Sequence, residues 1–176
     1  MREFENAFGP PSAWANDALF YKQLIKQKEK HIRCIVELGV HFGYSLFTMA
    51  KDFPDAIVMG VDNFSYHDSE DARAHVMKFS PEFPNVRILE GDTVTTAKSW
   101  HHPELYLDID VLHIDAGHNL ADVAADFEAW APYVMPGGVV LFHDINTTDG
   151  VRQFFDELDG EKAELGNLGA WYKPND

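Results

Sequence analysis

The sequence predicts an α/β protein built on a parallel sheet with helices on both faces, and three observations carry that expectation. Apolar runs at 33–38, 57–62, 86–90, 110–115 and 138–143 alternate with helical periodicity near 44–52, 68–79, 93–100 and 119–134. The first run, Ile32 to Leu38, ends in an acid, then passes through Gly39, a short loop and Gly43 into helical spacing, as a buried strand turning sharply into a helix does. Five acids, Glu37, Asp62, Asp92, Asp115 and Asp144, fall at or just past the ends of these runs. Right-handed crossovers bring the carboxyl ends of parallel strands to one edge, where open α/β sheets bind ligands.

Taken in order, Met1 to Pro11 is a polar, proline-punctuated arm expected to lie against the surface or a partner. Ser12 can cap a helix through Trp14, Leu19, Phe20, Leu24 and Ile25, followed by a basic stretch from Lys26 to His31. This helix is expected to cover one sheet edge rather than to act as a substrate lid. At the first strand–helix turn, Gly39 tolerates positive φ and close approach of a ligand, and Gly43 lets the helix start hard against the sheet. The spacing is Glu-x-Gly-x-x-x-Gly, with Val40, His41 and Phe42 inside the loop. A pyrophosphate-binding turn packs its glycines closer together, so the expected guest has no phosphates. Asp62, 19 residues after Gly43 at the end of the second run, stands where a nucleoside-binding sheet keeps an acid for ribose hydroxyls.

Length and composition suit one domain, with an arm and helix over 1–31 and an α/β core over 32–176. The 176 residues are 45% hydrophobic and 13% aromatic, enough for a substantial core. A net charge of −15 repels polyanions, which argues against nucleic acid and anionic membranes as partners. The single cysteine, Cys34, can form no intrachain disulfide and reads as a small buried residue. No stretch approaches the ~18 apolar residues of a membrane span, and a soluble, cytoplasmic protein is expected.

The glycine loop and the acid that follows it resemble those of class I S-adenosylmethionine-dependent methyltransferases, and the resemblance runs from about Ile32 to the C-terminus. It implies a Rossmann-like methyltransferase fold whose seven-stranded, mostly parallel sheet has the order 3-2-1-4-5-7-6. After a helix near 149–159, the runs 161–165 and 168–173 would supply its last two strands. The segment Asp110 to His118, the turn Pro136-Gly137-Gly138 and the strand Val139 to Asp144 resemble a small-molecule O-methyltransferase group that includes cephalosporin hydroxylase-like and macrocin O-methyltransferase-like proteins.

The resemblance implies that Glu37, Gly39 and Gly43 frame the methionine end of S-adenosylmethionine, Asp62 takes the ribose hydroxyls and Asp92 lies near the adenine amino group. Asp92 could equally cap the helix beginning near Thr93. Asp115 and Asp144 correspond to two magnesium ligands of catechol-type O-methyltransferases. Those enzymes place asparagine directly after the second aspartate, whereas Ile145 stands here and Asn146 follows. His118 replaces their catalytic lysine, and histidine can serve as the base near neutral pH.

Four other features receive structural readings. His113 inside a strand is expected to be a satisfied core histidine, and His143 to point to the face opposite Asp144 by strand alternation, which leaves both a packing role and a contact open. His101-His102-Pro103 reads as a solvent-facing loop, and Asp122, Asp126 and Glu128 as a solvated helix face. The expected function is O-methylation of a small-molecule hydroxyl, in a sugar or natural product, by a protein that can form a homo-oligomer. The alternatives are an NAD-type oxidoreductase, a metal-dependent oxygenase or hydrolase, and a non-catalytic cofactor-binding module.

Overall fold

A computed structural model describes residues 15–26, 31–66, 69–100 and 107–175 of the chain. In order the elements are α1 (Ala15–Lys26), β1 (Cys34–Leu38), α2 (Tyr44–Asp52), β2 (Ile57–Asp62), α3 (Ser69–Phe79), β3 (Val86–Glu90), α4 (Thr93–Ala97), β4 (Ile109–Ile114), α5 (Leu120–Trp130), β5 (Val134–Phe142), α6 (Asp149–Glu157), β6 (Glu161–Leu165) and β7 (Leu168–Tyr172). They form one seven-stranded sheet in the order β3-β2-β1-β4-β5-β7-β6. The first five strands run parallel, while β7 pairs antiparallel with both β5 and β6. The expected order and the antiparallel closing strand are both present. The arm, Ser12 and His101 to Pro103 lie outside the described residues.

Strand alternation divides the core into two layers. Ile35, Val58, Val111, Val139 and Leu141 face α1, α2 and α3, where they meet Leu24, Ile25, Phe47, Met49 and Val76. Their neighbours Cys34, Val36, Leu38, Leu112 and Val140 face the other way and pack with Val123, Trp130, Val151 and Phe155 of α5 and α6. Strands buried on both faces must be apolar along their whole length, which is why these runs read without a polar alternation. Cys34 is fully buried, and burial pushes its thiol up to about 12. No helix among the described residues is long and apolar enough to cross a membrane.

The helix expected near 93–100 ends at Ala97, and two further boundaries depart from the sequence expectation. The segment read as one helix over 119–134 is α-helical only to Trp130, because Pro132 tightens the next turn, Ala131–Tyr133, into a 3-10 helix. Pro136-Gly137-Gly138 is not a free turn before the fifth strand. It lies inside β5, where the pairing with β4 jumps from Ile109↔Val134 to Val111↔Val139. Gly137 takes φ 69 there, and its N–H donates to Lys173 O at 3.0 Å, so the kink is absorbed as a bulge.

At the amino edge of the sheet, the buried Asp110 closes the start of β1. Its Oδ2 accepts the N–H groups of Arg33 at 2.8 Å and Cys34 at 2.9 Å. Removing this acceptor leaves two amides unpaired, so Asp110→Ala should cost about 2–4 kcal/mol of stability. Chemical denaturation of the variant measures that loss.

Candidate active site at the carboxyl edge of the sheet

The five acids of the strand ends do gather at one edge, and four of them line a single cavity of about 1160 Å³. Asp62, Asp92, Asp115 and Asp144 open onto it, together with Gly39 and His118. The fifth, Glu37, is fully buried in β1.

The cavity begins at the β1–α2 loop. Gly39 has φ 85, and a Cβ placed on it would lie 2.2 Å from the carbonyl oxygen of Asp115, so no other residue fits between the ends of β1 and β4. Asp62 holds this loop. Its Oδ2 accepts the amides of Val40 at 2.7 Å and His41 at 2.8 Å, and its Oδ1 accepts that of Phe64 at 2.6 Å. Gly43 is the N-cap of α2 with φ 81 and donates its N–H to Val40 O at 2.7 Å.

Further along the rim, Asp92 is the N-cap of α4. Its Oδ1 accepts the N–H of Thr95 at 2.8 Å, and hydrogen bonding to Thr95 holds the carboxyl below its ordinary range. Asp126 contradicts the solvated-face reading. It is only 3% exposed, and its Oδ1 accepts the Thr93 hydroxyl at 2.5 Å. Burial raises its carboxyl to about 6. The α5 helix turns this position inward beside Trp130, whose indole N–H donates to Thr93 O at 3.0 Å.

At the far end, Asp115, His118 and Asp144 each offer an atom within 4.8 Å of the others. His118 Nε2 lies 3.1 Å from Asp144 Oδ2 and 3.6 Å from Asp115 Oδ1. His143 joins them, contrary to the expectation from alternation. Its Nδ1 sits 3.3 Å from Asp115 Oδ1 and 3.4 Å from Asp144 Oδ1. The reason is local: β5 ends at Phe142 and Asp144 takes φ 62, so the period of two is broken between the two side chains.

Asn146, the nearest candidate for a third metal ligand, is turned away. Its side chain donates to Gly166 O at 2.7 Å. Asn167 of the β6–β7 turn stands beside Asp144 instead, its Nδ2 2.6 Å from Asp144 Oδ1, and Thr147 Oγ1 donates to the same oxygen at 2.6 Å. Thr147 reaches Asp144 within one local turn, its own N–H donating to Asp144 O at 3.1 Å. Asn167 carries no sequence signal that links it to Asp144 and reaches it only because β7 returns antiparallel beside β5.

These contacts set the charges. Burial alone would raise the Asp115 carboxyl, but the neighbouring His118 and His143 imidazoles hold it down at about 2. Bonds to Asp115 and Asp144 raise His118 to about 9. Burial opposes the charge on His143, yet its bonds to the same two aspartates raise it to about 11. Asp144 is held well below the usual range by His118 and His143. Two carboxylates facing two protonated imidazoles form a donor set that a divalent cation also fits, since it can take the place of the protons.

Behind the cavity wall, Glu37 and His113 are direct partners across β1 and β4. His113 Nδ1 lies 2.9 Å from Glu37 Oε1, and the Ser45 hydroxyl donates to the same oxygen. His113 is thus the satisfied core histidine expected. Burial pushes the Glu37 carboxyl up, opposed by its bonds to His113 and Ser45.

Comparison with known proteins agrees with this fold. A family model described as a methyltransferase domain matches residues 36–145. The uncharacterized protein y4gI of Sinorhizobium fredii is 32% identical over 90% of this chain, which spans only 18% of that relative's length. Among solved structures, CalS11, a TDP-rhamnose 3'-O-methyltransferase of calicheamicin biosynthesis, superposes with a TM-score of 0.65 at 20% identity, over 89% of this chain and 78% of that one. TomG, an O-methyltransferase of tomaymycin synthesis from Streptomyces achromogenes solved with its methyl donor, gives 0.67 at 19% identity, over 98% and 85%. MycE of the mycinamycin pathway, solved with Mg, S-adenosylhomocysteine and mycinamycin VI, gives 0.63 at 18% identity, over 90% and 50%. These structural likenesses establish the fold.

Proposed function

The chain belongs to the methyltransferase-domain family, and on that premise we propose that it transfers the methyl group of S-adenosylmethionine to a hydroxyl of a small molecule, a sugar or natural product, with help from a divalent cation such as Mg²⁺. The observation that carries this reading is the convergence of the Gly39 loop, Asp62, Asp92 and the Asp115–His118–Asp144 cluster on one cavity. Glu37, Gly39 and Gly43 would serve the methionine end, Asp62 the ribose and Asp92 the adenine amino group.

Methyl transfer from a sulfonium is an in-line displacement with a good leaving group, so the protein has to orient the acceptor and remove its proton. Asp115 and Asp144 would hold the cation, and His118 would take the hydroxyl proton at Nε2. Between two bare carboxylates His118 stays protonated at neutral pH, with its proton held to about 9, and is no base. A divalent cation bound by the two aspartates would neutralise them, free His118 for that work and lower the pKa of a bound hydroxyl. His143, Thr147 and Asn167 hold the carboxylates in place, as outer partners of metal ligands do.

Labelled S-adenosylmethionine offered with a panel of alcohols and glycosides tests the reaction. Product should form, stop in excess chelator and resume with added Mg²⁺. Full activity in chelator would remove the cation, and binding without transfer to any acceptor would favour a non-catalytic module. S-adenosylhomocysteine should raise the thermal midpoint and NAD should not, which separates this reading from an oxidoreductase. Asp62→Ala should weaken S-adenosylhomocysteine by about 1–3 kcal/mol in calorimetry. Asp62→Asn, which keeps one oxygen for the amides of Val40 and His41 and gives up the charge and the bond from Phe64 N, tests how much of that loss is loop support.

A further inference from the structure

The two carboxylate oxygens of Asp144 are held differently. Oδ1 accepts the Asn167 side-chain amide at 2.6 Å and the Thr147 hydroxyl at 2.6 Å, with His143 Nδ1 at 3.4 Å. A carboxylate oxygen offers two lone-pair positions, so these two donors fill Oδ1. Oδ2 meets only His118 Nε2, at 3.1 Å, among the described residues. One oxygen of Asp144 is therefore left for a ligand in the cavity that this residue lines.

The turn between β6 and β7 sets the difference. Gly166 and Asn167 join the two strands in two residues, with Gly166 at φ 63. The turn grips the chain after Asp144 at three further points. Asn146 N–H donates to Asn167 Oδ1 at 3.0 Å, Ile145 N–H donates to Asn167 O at 3.3 Å, and Asn146 Nδ2 donates to Gly166 O at 2.7 Å. A backbone N–H can only donate, so the first of these bonds fixes the Asn167 amide with its Nδ2 end toward Asp144. Behind the turn stands α1. A Cβ on Gly166 would lie 2.3 Å from Cε2 of Phe20, so the Phe20 ring packs directly on the turn.

We propose that Asn167 sets the cation preference of the site: by occupying Asp144 Oδ1 it limits this ligand to one oxygen, which favours Mg²⁺ or Mn²⁺ over Ca²⁺, and Phe20 of α1 holds the turn that presents it. Small octahedral cations suit single carboxylate oxygens and keep several waters, whereas Ca²⁺ takes about six to eight oxygens and is readily chelated through both oxygens of one carboxylate. Asn167 acts through Asp144 and is a positioning residue. This inference rests on the cation reading above, and it adds what selects the cation and why α1 is more than a cover for the sheet edge.

Binding of Mn²⁺, followed by the loss of its free spin-resonance signal and competed with Ca²⁺, tests this without turnover. Asn167→Ala should lower the preference for Mn²⁺ over Ca²⁺ by about 10-fold, chiefly by weakening Mn²⁺. Thr147→Val, which removes the other donor to Oδ1 and keeps the shape, should shift the preference in the same direction. Phe20→Ala should give a smaller shift of the same sign, and almost none when Asn167 is already alanine, because it acts through the turn. Affinity for S-adenosylhomocysteine should stay within about 2-fold in all of them, which a general loss of structure would not allow. Circular dichroism and the thermal midpoint check that each variant is folded. An unchanged preference in Asn167→Ala and Thr147→Val, or equal weakening of both cations, overturns the inference and leaves the methyltransferase reading intact. Wild-type protein that binds S-adenosylhomocysteine but no Mn²⁺ overturns the inference together with the cation part of that reading.

Discussion

Replacing Asp144 by asparagine should lower turnover by roughly 10²–10⁴-fold while the affinity for S-adenosylhomocysteine stays within about 3-fold of the wild type. Asp144 is where His118, His143, Thr147 and Asn167 converge, and its charge holds His118 in place at 3.1 Å. Asparagine is the conservative probe because it tolerates the left-handed backbone, φ 62, that this position requires, and it keeps an oxygen for Thr147 and Asn167. What it removes is the negative charge, and with it the proposed cation site and the ion pair to His118. The positions proposed for the methionine, ribose and adenine lie on other elements, which is why binding of the product should survive. Turnover within a few-fold of the wild type would mean that the cluster at the ends of β4 and β5 is architectural.

The second large effect is on folding. Gly39→Ala should cost about 3–5 kcal/mol, a drop in midpoint of roughly 10 °C or more for a chain of this size. Two penalties combine at this position. An alanine at φ 85 is strained, and its Cβ would stand 2.2 Å from Asp115 O and 2.6 Å from Asp115 C. Both atoms are backbone of the adjacent strand end, fixed by the bond from Asp115 N to Leu38 O at 2.9 Å, so neither can step aside cheaply. Gly91→Ala is the control. Its backbone has an ordinary φ and the Cβ would meet only Thr96 Oγ1 at 3.0 Å, so a change under about 1 kcal/mol is expected. Equal midpoints for the two variants in thermal unfolding would contradict this description of the turn.

The sheet was largely legible because its strands are buried on both sides and therefore announce themselves as apolar runs, each closed by an acid or a glycine. The parallel strands themselves needed no resemblance, whereas β6 is mostly polar and only a two-residue turn and no helix separates it from β7, so the place of these two came from the family pattern. The bulge in β5 was hidden because Pro136-Gly137-Gly138 carries the chemistry of a turn, and only the pairing with β4 and the bond to Lys173 reveal that the strand continues through it.

Along the cavity, acids at strand ends were readable from position alone, as Asp62 and Asp115 illustrate, whereas His118 came from the resemblance. His143 shares the face of Asp144 against strand alternation, because alternation assumes an extended backbone and Asp144 leaves it. Asn167 had no local signal, since it meets Asp144 across 23 residues of chain. Asp126 was misread for a different reason: a charged residue on a helix is usually solvated, and nothing in the sequence marks this one as facing Thr93. The pairing of Glu37 with His113 follows from the register of β1 against β4, which needs the sheet order and a count along both strands.

The most direct test of the central claim, that this edge of the sheet cradles an S-adenosyl nucleoside with its sulfur turned to the acidic cluster, is a crystal structure of the protein with S-adenosylhomocysteine. Density should lie along the cavity with the ribose at Asp62, the adenine at Asp92 and the sulfur facing Asp115, His118 and Asp144. Ligand bound at another edge of the sheet, or lying in this cavity with the sulfur turned away from those three residues, would contradict it.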